Sequence, residues 1–247
     1  MQYLVTESKW NDFRKVFTET AKNYNSIAID AVAFYVIKAA YKCFGKALRP
    51  RYEERLSKHF NKRYYYKNML KSLISLWYLE DLGVLRKNEH VIDVGCGGSP
   101  SILAYMIVQK KEKPLNAELI DKSNCQIAIA EKLLGNNCEI TTHVHDFSFE
   151  KSNFTNNSFV IMSYFLCEQS KHKIKNIVEH LEFGENDTLV IDYRKNIEKL
   201  HKKLRIPKQK KLYTWSLRTA LPFDITLAAG EGSIHVSGLY VKSTEGS

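Results

Sequence analysis

The sequence predicts an α/β protein: a doubly wound, mostly parallel seven-stranded sheet over residues 89–247, preceded by an N-terminal helical cap over 1–88. Three observations predict it. From residue 90 onward, short apolar runs of strand character alternate with helical stretches, the signature of a parallel sheet covered on both faces. A glycine-rich turn, Gly95-Cys96-Gly97-Gly98, lies between the first of these runs and the helix after it. The first third of the chain has no alternating strand pattern and shows helical spacing instead.

Taken in order, Trp10, Phe13, Val16 and Phe17 fall on one helical stripe, a second helical group spans 26–44, and residues 52–80 read as helix again. HVIDV (90–94) is the first strand. Ser99 is suited to cap the next helix, with Pro100 at its first position. AELI (117–120) is the second strand, and Ser123 with Gln126 forms a capping-box pattern opening the helix after it. EITTHVH (139–145), SFVIMSYF (158–165) and DTLVIDY (187–193) follow as strands, with a helix from Lys171 to Glu182 that Gly184 can close. IEKLHKKL reads as an amphipathic helix ended by Pro207, and SIHVSGLYVKS as the final strand. The strand before it is either LYTWSL or FDITLA, and the pattern fits both.

With 247 residues, 44% of them hydrophobic and 26% charged, the chain is large enough for one substantial core and too apolar to be disordered. No apolar run approaches the ~20 residues of a membrane span, so no membrane partner is expected. MQYLVTESKW has neither a basic cap followed by an apolar core nor an early arginine, so neither a signal nor a transit peptide is expected. Five scattered cysteines without a CxxC spacing read as free thiols in a reducing cytoplasm. The net charge of +10 is unevenly distributed. Residues 1–89 hold 17 basic against 9 acidic residues (+8), 90–190 hold 9 against 13 (−4), and 191–247 hold 11 against 5 (+6). The basic charge flanks an acidic middle, where an anionic partner would approach.

The first strand runs into Asp93-Val94-Gly95-Cys96-Gly97-Gly98-Ser99-Pro100. Pro100 stands where a GxGxxG dinucleotide loop has its third glycine, and Asp93 precedes the loop by two residues. A pyrophosphate beside that carboxylate would be repelled, whereas a cationic amino group would not. Over residues 88–195 the chain resembles the class I S-adenosyl-L-methionine-dependent methyltransferases, whose Rossmann-like fold the resemblance implies. Their first motif, an acid and a pair of glycines, is matched by Asp93, Gly95 and Gly97; their second, an acid at the tip of the next strand, by Asp121. The resemblance implies that Asp121 accepts both ribose hydroxyls, that Asp146 meets the adenine amino group, and that Ser163 joins the cofactor-binding set. Tyr164 and Glu168, just beyond the fourth strand, are the catalytic candidates, Glu168 as a proton acceptor, a substrate anchor or simply a helix-starting acid. No metal is expected, since His143 and His145 alone do not complete a usual ligand set.

Two finer resemblances concern the substrate. DVGCGGSPSILA (93–104) is similar to the first motif of the aminoglycoside-resistance rRNA methyltransferases. VIMSYFLCEQSKHKIKNIVEHL followed by DTLVIDYRK is similar to the small-subunit methyltransferase-like family linked to mitochondrial ribosomes, although the cysteines that family uses for a metal cluster are absent. Lys62-Arg63-Tyr64-Tyr65-Tyr66-Lys67 mixes cations with rings, as phosphate contact and base stacking require, and HKKLRIPKQKK (201–211) is a second basic run. The leading expectation is therefore a methyltransferase of structured RNA such as rRNA, holding RNA through basic flanks at 49–71 and 194–218. The alternatives are a small-molecule or natural-product methyltransferase and a non-catalytic module of the same fold. Oligomeric state is left open.

Overall fold

The computed structural model describes residues 1–15, 62–109, 115–135, 138–145, 147, 154, 157–166 and 169–243. Val16, Phe17, the helical group expected over 26–44, residues 52–61 of the next one, Asp146 and Glu168 lie outside these residues.

Residues 7–15 form helix α1, and Trp10 and Phe13 of the predicted stripe are its buried residues. Helix α2 (Lys62–Asp81) buries Met69, Leu70, Leu73, Ile74, Leu76, Trp77 and Leu79 together with Ser72 and Ser75, so its second half is covered on every side. Each large side chain so buried contributes roughly 1.5–3 kcal/mol. Trp10 meets Trp77 edge to face at 5.4 Å, which fastens α1 to α2.

The remaining elements are β1 (His90–Val94), α3 (Pro100–Gln109), β2 (Leu115–Asp121), α4 (Asn124–Leu134), β3 (Cys138–Val144), β4 (Phe159–Ser163), α5 (Lys171–Phe183), β5 (Asp187–Asp192), α6 (Arg194–His201), β6 (Lys210–Ala220), α7 (Phe223–Ala229) and β7 (Ser233–Ser243). They build one seven-stranded sheet in the order β3-β2-β1-β4-β5-β7-β6. The first five strands are parallel; β7 runs antiparallel to both β5 and β6. Side chains alternate between two cores: Leu189 and Ile191 lie on the face covered by α2, α3, α4 and α7, and Val190 on the face covered by α5 and α6. This is the doubly wound, mostly parallel α/β sheet that the sequence predicts. The undecided strand is LYTWSL, inside β6; FDITLA opens α7, with Pro222 ahead of it and Asp224 in its first turn.

Both predicted helix caps are corrected. Ser99 has φ +54°, and its hydroxyl donates to Asp93 instead of serving the first turn of α3. Ser123 makes no side-chain cap to α4, and its backbone N–H, which a capping-box Gln126 would bind, is taken by Asp121. Gly184 closes α5 without a left-handed φ: a Cβ there would lie 2.6 Å from the His180 carbonyl oxygen. Lys210, part of the predicted basic surface run, is half-buried, and its ammonium donates to the carbonyl oxygens of Leu181 and Gly184 at the end of α5. Its charge serves a helix terminus.

In such sheets strand order reverses at one place, here between β1 and β4, and the crevice at the carboxyl ends there is where ligands bind.

Candidate functional site

The loop leaving β1 is folded over the end of β2. The N–H groups of Gly95 and Cys96 both donate to the Ile120 carbonyl oxygen, at 2.8 and 3.1 Å. Gly95, Gly97 and Ser99 all have positive φ (+68°, +53° and +54°), so the loop is a run of left-handed turns that glycine adopts at least cost. The two predicted glycines have different reasons to be there. A Cβ on Gly95 would lie 2.7 Å from the Phe165 ring, whereas one on Gly97 would meet nothing closer than Gln126 Oε1 at 3.9 Å. Gly95 is pressed under an aromatic; Gly97 turns toward open ground at the switch point.

Two acids hold this loop. Asp121, at the tip of β2, accepts from the Gly97 N–H with one oxygen (3.0 Å) and from the Ser123 N–H with the other (2.9 Å). Each oxygen retains a lone pair for a further donor. Asp93 is 1% exposed and accepts from the Ser99 hydroxyl at 2.8 Å. Burial pushes its carboxyl up to about 7; the Ser99 bond opposes this and the nearby Asp121 charge adds to it. Asp93 therefore ionises more readily if a cation arrives beside it.

That shift has a direct consequence for stability. A carboxyl whose folded pKa stands above its ordinary 3.8 contributes stability that is complete below pH 4 and is lost as pH rises through about 7. Asp93→Asn cannot ionise and retains an acceptor for Ser99. Its stability relative to wild type is expected to rise by up to about 4 kcal/mol between pH 4 and pH 8, three pKa units at 1.36 kcal/mol each. Urea unfolding of both proteins across that range checks this, and a pH-independent difference would contradict it.

Beyond β4 the chain turns sharply. Ser163 is the last strand residue, and its hydroxyl lies 3.5 Å from Ser72 of α2, itself 3.2 Å from Ser101 of α3. Tyr164 follows with φ +57°, its N–H donating to the Ile191 carbonyl oxygen at 2.7 Å. Its ring packs edge to face on Tyr193 at 5.4 Å, and the Lys71 ammonium stands 4.4 Å from its centre. Burial lowers the Lys71 pKa from its ordinary value; Lys67 lowers it further, and Glu231 and Asp192 raise it.

Asp93, Gly95, Gly97, Asp121, Ser163 and Tyr164 thus gather at the carboxyl ends of β1, β2 and β4. Sequence patterns alone left four residues beside them, Lys71, Gln126, Asp192 and Tyr193, unassigned to the site. Lys71 stands in the apolar run MLKSLISLW, where a lone lysine is itself a signal. Asp192 ends β5, with Tyr193 directly after it, as Asp93 nears the end of β1 and Asp121 ends β2, and the rule that singled out those acids applies to β5 as well. Gln126 is 3% exposed, and its Nε2 has no hydrogen-bond partner although its amide lies beside Gly97. His143 pairs with Glu118 across the sheet at 3.1 Å.

Open ground at Gly97, an orphaned buried donor on Gln126, and two carboxylates that would welcome a cation and a pair of hydroxyls fit the cofactor that the sequence resemblance implies.

Strand order and the antiparallel last strand define the class: a Rossmann-like methyltransferase fold. No protein-family model and no curated protein sequence matches the chain. Among solved structures the chain is similar to TrmN from Thermus thermophilus, at 13% identity over 74% of this chain and 53% of that one, TM-score 0.46. It is also similar to a candidate RNA methyltransferase from Pyrococcus horikoshii, at 14% identity over 68% and 80%, TM-score 0.43. A third is the precorrin-6y C5,15-methyltransferase of Geobacter metallireducens, at 11% identity over 71% and 87%, TM-score 0.39. Likeness at this level concerns chain course alone, and the fold assignment rests on the strand order.

Proposed function

We propose that this chain is an S-adenosyl-L-methionine-dependent methyltransferase acting on structured RNA such as rRNA. The observation that carries the reading is a glycine loop at the switch point held by two acids, Asp121 on the Gly97 N–H and Asp93 on the Ser99 hydroxyl. When bound, S-adenosyl-L-methionine supplies a methyl group on a sulfonium centre, ready for transfer to a lone pair. Asp93 would face its amino group, Asp121 its ribose hydroxyls, and the Gly97 backbone would lie alongside. On the acceptor side the chain's task is orientation, which alone contributes several kcal/mol to such a transfer. Tyr164 and Lys71 wall that side, and Glu168 is the candidate to take the acceptor's proton.

The charge distribution supports RNA: +10 overall, with basic flanks around an acidic middle. The odd cysteine number, with Cys96 and Cys138 free and buried, supports a reducing, cytoplasmic setting. Among the described residues no helix is long and apolar enough to cross a membrane.

One observation favours a second reading. A cleft of about 810 Å³ beside Tyr193 has a volume usual for a small-molecule pocket. The deciding experiment is incubation with methyl-labelled S-adenosyl-L-methionine and total RNA, protein or small-molecule extract. Label in RNA is the expected result. Label confined to the small-molecule fraction would establish the second reading, and cofactor binding without transfer to any fraction would make the chain a binding module.

A further inference from the structure

The cleft beside Tyr193 lies between α5 and α6 at the carboxyl ends of β4 and β5. Its floor is apolar, made by Leu166, Ile174 and Leu200. Its rim carries four lysines, Lys195, Lys199, Lys202 and Lys203. Their spacing, i, i+4, i+7 and i+8, sets them on one face of α6 and the turn that ends it. None of the four makes an ion pair among the described residues; the nearby Glu198 pairs instead with Arg194 at 2.7 Å.

Like charges at these separations destabilise a helix by roughly 0.2–0.5 kcal/mol per pair, partly offset by the helix dipole at its last turn. Interspersed acids would serve a purely solvated face better. An anion in the cleft removes the repulsion. Tyr193 joins this rim to the site: 53% exposed, it lines the cleft and packs on Tyr164 at the end of β4. A ring with an apolar floor, bordered by cations that act as point charges, suits a planar base with phosphates on either side.

We propose that this cleft seats a nucleotide next to the one to be methylated: its base lies over Leu166, Ile174 and Tyr193, and its flanking phosphodiesters lie on Lys195, Lys199, Lys202 and Lys203. The inference rests on the RNA reading above and replaces the broad 194–218 flank with a defined seat. Lys210 is not part of it, because its ammonium holds the end of α5.

The test compares the full chain with a variant carrying Lys195→Ala, Lys199→Ala, Lys202→Ala and Lys203→Ala. The probe is a fluorescent single-stranded RNA 20-mer of mixed sequence, titrated at several salt concentrations. Removing one lysine–phosphate pairing flattens the slope of log K against log salt by about 0.7. The variant is expected to lose between two and three units of slope and at least about tenfold in affinity at 0.1 M salt. Its affinity for S-adenosyl-L-methionine should stay at the wild-type value, and its unfolding midpoint should hold or rise slightly as the lysine repulsion is removed. Lys87→Glu with Lys132→Glu, which removes the same total charge on other surfaces, should weaken RNA binding by less than about threefold.

If wild type binds and methylates RNA while the four-lysine variant binds it equally well, the seat is wrong and the RNA reading stands. If wild type shows no RNA affinity and labels only small molecules, both fall. Competition by a mononucleotide mixture as effective as the 20-mer would overturn the seat in favour of a free-nucleotide site, and a lowered unfolding midpoint in the variant would make the lysines structural.

Discussion

Gly97→Val is expected to weaken the proposed S-adenosyl-L-methionine binding by at least about a hundredfold, or ~2.7 kcal/mol, in a protein that still folds. The structure separates two costs at this position. At φ +53° a β-branched residue costs roughly 1–3 kcal/mol of backbone strain, which lowers the unfolding midpoint without removing the native state. Its Cβ meets no protein atom within 3.9 Å, so the added methyl groups enter the ground assigned to the cofactor. Gly95→Val is the contrasting control. There the Cβ would lie 2.7 Å from the Phe165 ring, so stability collapses along with binding. Calorimetric titration alongside thermal unfolding distinguishes the two variants, and a well-folded Gly97→Val protein that binds as wild type does would remove the loop from the cofactor site.

The second large effect is at Asp121. Replacing it with alanine is expected to weaken S-adenosyl-L-methionine by about 1–3 kcal/mol, since the ribose hydroxyls lose a charged acceptor. The geometry adds a stability component. Both carboxylate oxygens already accept backbone N–H groups, from Gly97 and Ser123, so the alanine variant also frees the glycine loop from the start of α4. A loss of roughly 1–2 kcal/mol of unfolding free energy should accompany the loss of affinity, with Asp121→Asn intermediate in both because one oxygen remains. Affinity unchanged in a destabilised Asp121→Ala protein would leave Asp121 as a loop anchor only.

Asp121 also shows where the sequence was legible and where it was not. The strand boundaries of HVIDV and SIHVSGLYVKS coincide with β1 and β7, because short apolar runs bounded by turns leave little freedom. The acids near the tips of β1 and β2 could be placed for the same reason. Both helix caps drawn from neighbouring residues were superseded by those two acids. Asp93 claims the hydroxyl of Ser99, and Asp121 claims the N–H that Gln126 would have bound. Both competitors are themselves local: Asp121 stands two residues before Ser123 and Asp93 six before Ser99, so one short-range hydrogen bond displaces another. FDITLA illustrates a different limit: six residues with β-branched members do not reveal their period, and Pro222 with Asp224 settle the segment as helix. Lys71 and Tyr193 each leave a signal in the chain, a lone cation in an apolar run and a strand tip, but that the two meet at Tyr164 depends on α2 crossing near the end of β4 and on β5 lying beside it.

The backward turn at Tyr164 places a trade-off at the end of β4. A left-handed backbone costs an ordinary residue about 1–2 kcal/mol that glycine avoids, yet this position holds a tyrosine whose amide is fixed to Ile191. Because the backbone sets where the ring emerges, residue 164 can change its chemistry without changing its direction. Glycine there would relieve the strain and remove the wall that Tyr164 forms with Lys71 and Tyr193. The edge-to-face contact with Tyr193 and the Lys71 ammonium over the ring are each of the same order as that strain, so the side chain that incurs the cost also offsets it, and glycine would exchange strain for lost packing.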